Sequence, residues 1–284
     1  FGGRELAEES DLDIMLIYDA PADADGAMPA GDFYARLTQR LISALSAQTE
    51  EGALYEIDTK LRPSGSKGPV AVRLSSFQRY YDEEAWTWEM QALTRLRPVA
   101  GADALCLRVA AITQSAIVRA RDVPKTLADV ADMRARMDRE RPSRTIWDLK
   151  LAPGGFVDIE FAAQALQLIW AARAPNVVRA NTGEALSELA GAGALGEGAA
   201  ERLTAAWRLW SGLQQVLRIC VSGELKPDAA PAPLLARLAA IADCRIDELE
   251  AVVRATQSAV RADFLQIVGQ SGDGSALAGR STQN

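Results

Sequence analysis

Histidine is absent from all 284 residues. Its absence removes Ser-His-Asp and Cys-His catalysis, His-ligated zinc and any imidazole general base. Cysteine is scarce: Cys106, Cys220 and Cys244 show no metal-ligand spacing and lie in apolar or helical sequence surroundings. They read as buried, unpaired thiols of a cytoplasmic protein. No apolar run is long enough to span a bilayer, and no secretory signal opens the chain. Positive charge is not in excess, since 31 Lys and Arg stand against 38 Asp and Glu for a net charge of −7. That balance argues against a basic surface built to coat nucleic acid. No internal repeat is visible, and Phe1 as first residue predicts a piece of a longer polypeptide. Carboxylates working with a metal ion are the natural chemistry left.

An acidic pattern of that kind stands near the start. Phe1-Gly2-Gly3-Arg4-Glu5 is followed by Ser10-Asp11-Leu12-Asp13-Ile14-Met15-Leu16-Ile17-Tyr18, an Asp-x-Asp opening an apolar, β-prone run. Side chains two apart on a strand share a face, so Asp11 and Asp13 point the same way. Two carboxylates on one face suit a hard cation such as Mg²⁺, which shares its other positions with water and phosphate. Glycines let a backbone approach a phosphate with its N–H groups turned inward, which makes Gly2 and Gly3 candidate contacts. The plainer alternative is an acidic pair at a solvated strand end.

A second segment, Tyr55-Glu56-Ile57-Asp58-Thr59-Lys60-Leu61-Arg62-Pro63, alternates as a strand does. Tyr55, Ile57, Thr59 and Leu61 form one face; Glu56, Asp58, Lys60 and Arg62 form the other. Asp58 is placed to complete a metal site or accept a proton, while Lys60 and Arg62 are placed to hold triphosphate oxygens. An ordinary half-exposed strand with alternating charges is the competing reading.

The length predicts one or two domains, dividing near residue 100. Strands are expected at Leu12 to Tyr18, Tyr55 to Leu61 and about Val70 to Leu74. A helix is expected from Asp32 to Gln48, with Phe33, Leu37, Leu41 and Leu45 in a four-residue rhythm. Ala20 to Gly31 reads as a loop, and Pro63 to Pro69 as a turn. Residues 101–270 are alanine-rich and helical in pattern, which predicts an all-helical bundle. Leu203, Trp207, Trp210, Leu213, Leu217 and Cys220 form one apolar stripe; Leu249, Val252, Thr256, Val260, Phe264 and Ile267 form another. Gly191 to Gly198 and Lys226 to Pro233 are breaks between helices, and residues 271–284 read as a disordered tail. At Asp148-Leu149-Lys150…Pro153-Gly154-Gly155…Asp158-Ile159-Glu160-Phe161, spacing favours Asp158 as the N-terminal cap of a helix with Ala162, Leu166 and Ile169 on its apolar side. The functional alternative has Lys150 reaching nucleotide phosphates. Trp86 and Trp88 cannot both face the core from one helix, so one is expected at an interface and the other inside.

Four ordered segments carry a resemblance. Gly-Gly-Arg-Glu…Ser-Asp-Leu-Asp, Tyr-Glu-Ile-Asp-Thr-Lys-Leu-Arg-Pro-Ser-Gly, Glu84-Ala85-Trp86-Thr87-Trp88-Glu89-Met90-Gln91-Ala92-Leu93 and Gly154-Gly155-Phe156-Val157-Asp158-Ile159-Glu160-Phe161 resemble glutamine synthetase adenylyltransferase. That bacterial family has two related halves. One attaches AMP to a tyrosine of glutamine synthetase; the other removes it by phosphorolysis. The tryptophan-rich run resembles the carboxy-terminal, attaching half. The resemblance runs from Phe1 to about Gln270.

The resemblance implies an α+β architecture: a polymerase-β-like nucleotidyltransferase domain with a small mixed sheet over residues 1–100, followed by an all-α helical bundle. It implies ATP as substrate and two Mg²⁺ ions held by Asp11, Asp13 and Asp58. It also implies nucleotide contacts from Gly2, Gly3, Ser10, Lys60, Arg62 and Lys150. Glutamine synthetase is the implied protein substrate and the PII signalling protein an implied regulator, with no nucleic acid or membrane partner. Three alternatives stand beside it: the sister phosphorolytic activity, nucleotidyl transfer to a small molecule, and a non-catalytic regulatory module that has kept the fold.

Overall fold

A computed structural model describes residues 2–6, 10–21, 28–50, 52 and 55–269. The chain forms two compact units, residues 1–117 and 118–284. Their boundary falls one helix beyond the division expected near residue 100. The tail read at residues 271–284 lies outside the described residues.

In the first unit the strands are short. The run expected as one strand breaks into β1 (Leu12–Asp13) and β2 (Leu16–Tyr18). β1 pairs in parallel with β3 (Ile57–Asp58), and β2 in parallel with β4 (Ala71–Arg73). The expected small mixed sheet is therefore two parallel two-stranded ladders. Parallel partners need a long crossover, and helix α1 (Ala30–Leu45) lies between the paired segments in chain order. β4 runs directly into α2 (Leu74–Glu83), then α3 (Thr87–Leu93) and α4 (Asp103–Ile117). The core of this unit includes Val72, Leu74, Phe77, Tyr81, Met90, Leu93 and Ile117.

Helix α1 forms where the rhythm predicts a helix, with its apolar stripe turned outward. Phe33, Leu37, Leu41 and Leu45 are 41–52% exposed, whereas Thr38 is buried. The cause is local packing: α1 lies on β4, and Tyr34 stacks on Tyr18 with ring centroids 4.4 Å apart. Those contacts turn the Tyr34–Thr38 side inward and leave the apolar stripe outside.

The second unit is a helical bundle of α5 (Val123–Glu140), α6 (Phe156–Trp170), α7 (Thr182–Gly191), α8 (Glu197–Cys220), α9 (Ala232–Ile241) and α10 (Leu249–Gly269). α6 is buried on nearly every side and packs against α5, α7, α8 and α10. A helix buried on nearly every side belongs at the centre of a bundle, which is where its Ala162, Leu166 and Ile169 lie. The stripes on α8 and α10 face the same core through Leu203, Trp210, Leu213, Val260 and Phe264. None of the cysteines is fully buried, contrary to expectation. Cys106 and Cys244 are half-buried and Cys220, at the end of the α8 stripe, is exposed; all three are unpaired.

Candidate active site

The ladder of β1 and β3 puts Asp13 directly beside Asp58. It is closed by the Leu12 N–H donating to the Glu56 carbonyl and the Ile14 N–H donating to the Asp58 carbonyl, each at 2.8 Å. Register partners on neighbouring parallel strands project to one side about 5 Å apart. Asp13 and Asp58 therefore belong to one polar edge. Asp11 lies two residues before Asp13, and both are exposed.

Lys60 is drawn into this edge. Its Nζ donates to Asp58 Oδ2 at 2.7 Å, and its backbone N–H donates to Asp58 Oδ1 at 2.7 Å. Partial burial pushes the Asp58 carboxyl up, but the two hydrogen bonds and the charge of Lys60 outweigh it and hold the group below the usual carboxylate range. The Lys60 ammonium is raised in turn, mainly by the Asp58 hydrogen bond and charge, with the fields of Asp11 and Asp13 also reaching it.

Arg62 behaves otherwise. The strand alternation ends at Asp58 and the chain turns, so Arg62 is buried rather than displayed beside Lys60. Its guanidinium donates to the carbonyls of Thr59 (2.7 Å), Gly68 (3.2 Å) and Pro69 (3.0 Å) and to the Thr59 hydroxyl (3.1 Å). Its donors are spent tying the turn at 59–69 together, not held out for phosphate.

The glycine pair is packed against the segment after α3. A Cβ at Gly2 would lie 1.9 Å from the Arg95 carbonyl oxygen, so that approach alone requires glycine. The Gly2 carbonyl accepts from Arg97 Nε at 3.0 Å, and Glu5 pairs with Arg95 at 2.7 Å. Gly3 is buried and Ser10 half-buried. Arg97 as an anchor of this loop had no sequence signal, because its partner lies 95 positions away.

Lys150 belongs to the second unit, where it is exposed. The motif around it is built for packing. α6 starts at Phe156 with Gly155 as its cap residue, three positions before the expected cap Asp158. Carbonyls of Leu149 and Lys150 accept from the N–H groups of Phe156 and Val157, so backbone does what a side-chain cap was expected to do. Asp158 lies in the first turn instead, wholly buried and ion-paired with Arg134 and Arg261, and it accepts from the Gly154 N–H at 2.7 Å. Gly154 has φ +83°, and a Cβ there would lie 1.9 Å from the Gln257 carbonyl oxygen. Trp86 is 69% and Trp88 36% exposed, so neither takes the core position expected of one of them. Glu89 is buried on α3 together with Met90 and Leu93, and its carboxylate accepts from the Tyr80 hydroxyl at 2.7 Å and the Trp86 N–H at 2.9 Å.

The donor set can be tested against Mg²⁺. Among the described residues no three carboxylates converge closely enough to cage an ion by themselves. Mg²⁺ does not ask for that: it takes one or two carboxylates and fills its octahedron with water and substrate phosphate. Asp13 and Asp58, in register, are hard oxygen donors of the kind such an ion takes.

A sequence profile of the family described as glutamate-ammonia ligase adenylyltransferase matches residues 1–112, and one described as GlnD PII-uridylyltransferase matches residues 126–257. The chain is similar to the bifunctional glutamine synthetase adenylyltransferase/adenylyl-removing enzyme of Rhodopseudomonas palustris, with 42% identity over 274 residues, covering 94% of this chain and 28% of that protein. The Bradyrhizobium sp. protein of that name is 44% identical over 273 residues, covering 94% and 28%. The Caulobacter vibrioides one is 51% identical over 243 residues, covering 84% and 24%. The chain thus spans about 28% of the length of the first of these relatives.

Proposed function

We propose a function from the premise that this chain is a homologue of one segment of the bifunctional glutamine synthetase adenylyltransferase/adenylyl-removing enzymes. It transfers AMP from ATP to a tyrosine hydroxyl of glutamine synthetase, on a polymerase-β-like nucleotidyltransferase domain. The observation that carries this reading is the register pairing of Asp13 with Asp58 beside Lys60.

The tyrosine oxygen attacks the α-phosphorus, the bond to pyrophosphate breaks, and the phenolic proton is released. Asp11, Asp13 and Asp58 would hold Mg²⁺, which when bound neutralises phosphate charge and lowers the pKa of a hydroxyl. Asp58, in register with Asp13, is placed to ligate the metal ion or to accept the phenolic proton of a tyrosine that normally titrates near pH 10. Lys60 is the cation available to triphosphate oxygens, and Arg62 keeps the turn that carries Lys60 in shape. Gly2, Gly3 and Ser10 supply the loop ahead of Asp11, and Lys150 remains a phosphate contact by resemblance. The PII signalling protein enters as a regulator on the same ground. Catalysis of this kind is mainly positioning and electrostatics, with no covalent enzyme intermediate required.

Attachment is preferred over removal because Glu84–Leu93 resembles the attaching half. Two incubations separate them. With unmodified glutamine synthetase, ATP and Mg²⁺, intact mass is expected to rise by one AMP per subunit. With adenylylated glutamine synthetase and inorganic phosphate, no ADP is expected. ADP in the second reaction without a mass gain in the first would assign the sister activity instead.

A further inference from the structure

Lys60 stands on the carboxylate that a divalent cation needs. Its backbone N–H and its Nζ engage the two oxygens of Asp58, each at 2.7 Å, so each oxygen of that ligand already accepts a hydrogen bond and one of them carries the ammonium. The arrangement is local, spanning two residues, and lies at the end of the strand whose register partner is Asp13. Apart from this pair the Lys60 side chain is 76% exposed and able to swing away, while Asp58 is only 25% exposed and fixed by the ladder. The ammonium is the movable member of the pair.

We propose that Lys60 is a built-in counter-ion that occupies Asp58 while no nucleotide is bound and exchanges with the divalent cation when a nucleoside triphosphate arrives. The proposal rests on reading Asp13 and Asp58 as the metal-binding pair. Two cations on one carboxylate oxygen repel each other, so a metal ion arriving alone binds against the Lys60 charge or gives up the Lys60–Asp58 bond for hydration of the ammonium. A metal ion arriving with a triphosphate brings new acceptors for that ammonium, and the displaced bond is replaced. Metal and nucleotide therefore bind with positive coupling, and by linkage each tightens the other to the same extent. The coupling is modest, because an exposed pair is a weak one. A role as a phosphate contact alone, or as an ordinary surface pair, makes no such demand.

The test uses Lys60→Met in the full chain, with Mn²⁺ as the metal probe and a non-hydrolysable ATP analogue as the nucleotide. Free Mn²⁺ is read by electron paramagnetic resonance. Removing the ammonium is expected to tighten Mn²⁺ binding without nucleotide by about three- to tenfold. The same change is expected to weaken binding of the analogue in the presence of Mn²⁺. Opposite signs in one variant are the signature. Lys67→Met, which removes a neighbouring cation, controls for general field and should leave Mn²⁺ affinity within about twofold. Unchanged or weaker Mn²⁺ binding in Lys60→Met would overturn the proposal, as would unaltered binding of the analogue. Asp13→Asn separates this failure from failure of the site itself. If Asp13→Asn weakens Mn²⁺ binding and Lys60→Met does not tighten it, only the exchange is wrong. If Asp13→Asn leaves Mn²⁺ binding untouched, the metal pair is wrong and the exchange falls with it.

Discussion

Asp158 has no solvent exposure, and its charge is met by Arg134, which is 1% exposed, and by Arg261. Arg134 and Arg261 both also pair with Asp138, so two acids and two bases close a network across α5, α6 and α10. Removing one partner of a buried pair leaves an uncompensated charge, and Asp158→Ala is expected to cost about 3–5 kcal/mol. Urea unfolding followed on the helical signal measures it, and a loss below about 1 kcal/mol would contradict the assignment. Tyr80 gives a second handle. Burial, followed by the Glu89 hydrogen bond, pushes its phenol up to about 12, and burial raises Tyr81 as well. An unfolded phenol releases its proton near pH 10, so the folded state binds more protons above that point. Stability held by Tyr80 is full below pH 10 and is lost as pH rises towards 12. At pH 11 the loss from this group is about 1 kcal/mol. Tyr80→Phe should show a smaller fall in unfolding free energy between pH 8 and pH 11 than the parent; an equal fall would remove Tyr80 from the account.

At the scale of elements, α1 is where pattern and structure part. Its Phe33, Leu37, Leu41 and Leu45 make the cleanest apolar rhythm in the first unit, yet they face outward. Periodicity identifies a helix and its stripe but not which neighbour it meets. That is decided by Tyr34 on Tyr18 and by contact with β4, both set by residues distant in the chain. The double change Leu37→Gln, Leu41→Gln is therefore expected to move stability by less than about 1 kcal/mol, as exposed sites do. A loss above about 3 kcal/mol in a denaturant titration would show that the stripe is packed. The strands show the other limit. Alternation around Asp11 and Asp13 was legible because it needs only neighbours. The breaks after Asp13 and Asp58, and the register that joins them, depend on a partner 45 positions away. The turn after Asp58 is hidden for the same reason: the alternation in sequence runs on through residues that turn, and the Arg62 guanidinium reaches Thr59, Gly68 and Pro69.

For the molecule as a whole, the second unit has a core of its own. Among the described residues, one cluster of buried apolar side chains runs from Leu127 to Val268 and lies within the second unit. Residues 118–269 alone are therefore expected to fold into a helical bundle with one cooperative thermal transition; a non-cooperative melt would contradict that independence. Alanine-rich helices with long apolar stripes made this bundle readable in outline. Its polar interior was not, because Arg134 and Arg261 reach Asp158 from 24 and 103 positions away.

The claim at the centre is that the edge formed by Asp13 and Asp58 performs AMP transfer. The rate of AMP incorporation into glutamine synthetase, followed by intact mass for the parent, Asp13→Asn and Asp58→Asn, tests it most directly. Circular dichroism on each protein checks that the fold is kept. Each substitution is predicted to lower the rate by about 10²–10³-fold or more, the scale seen when one group stabilising transition-state charge is lost. Parent-like transfer by a folded Asp13→Asn protein would contradict the account.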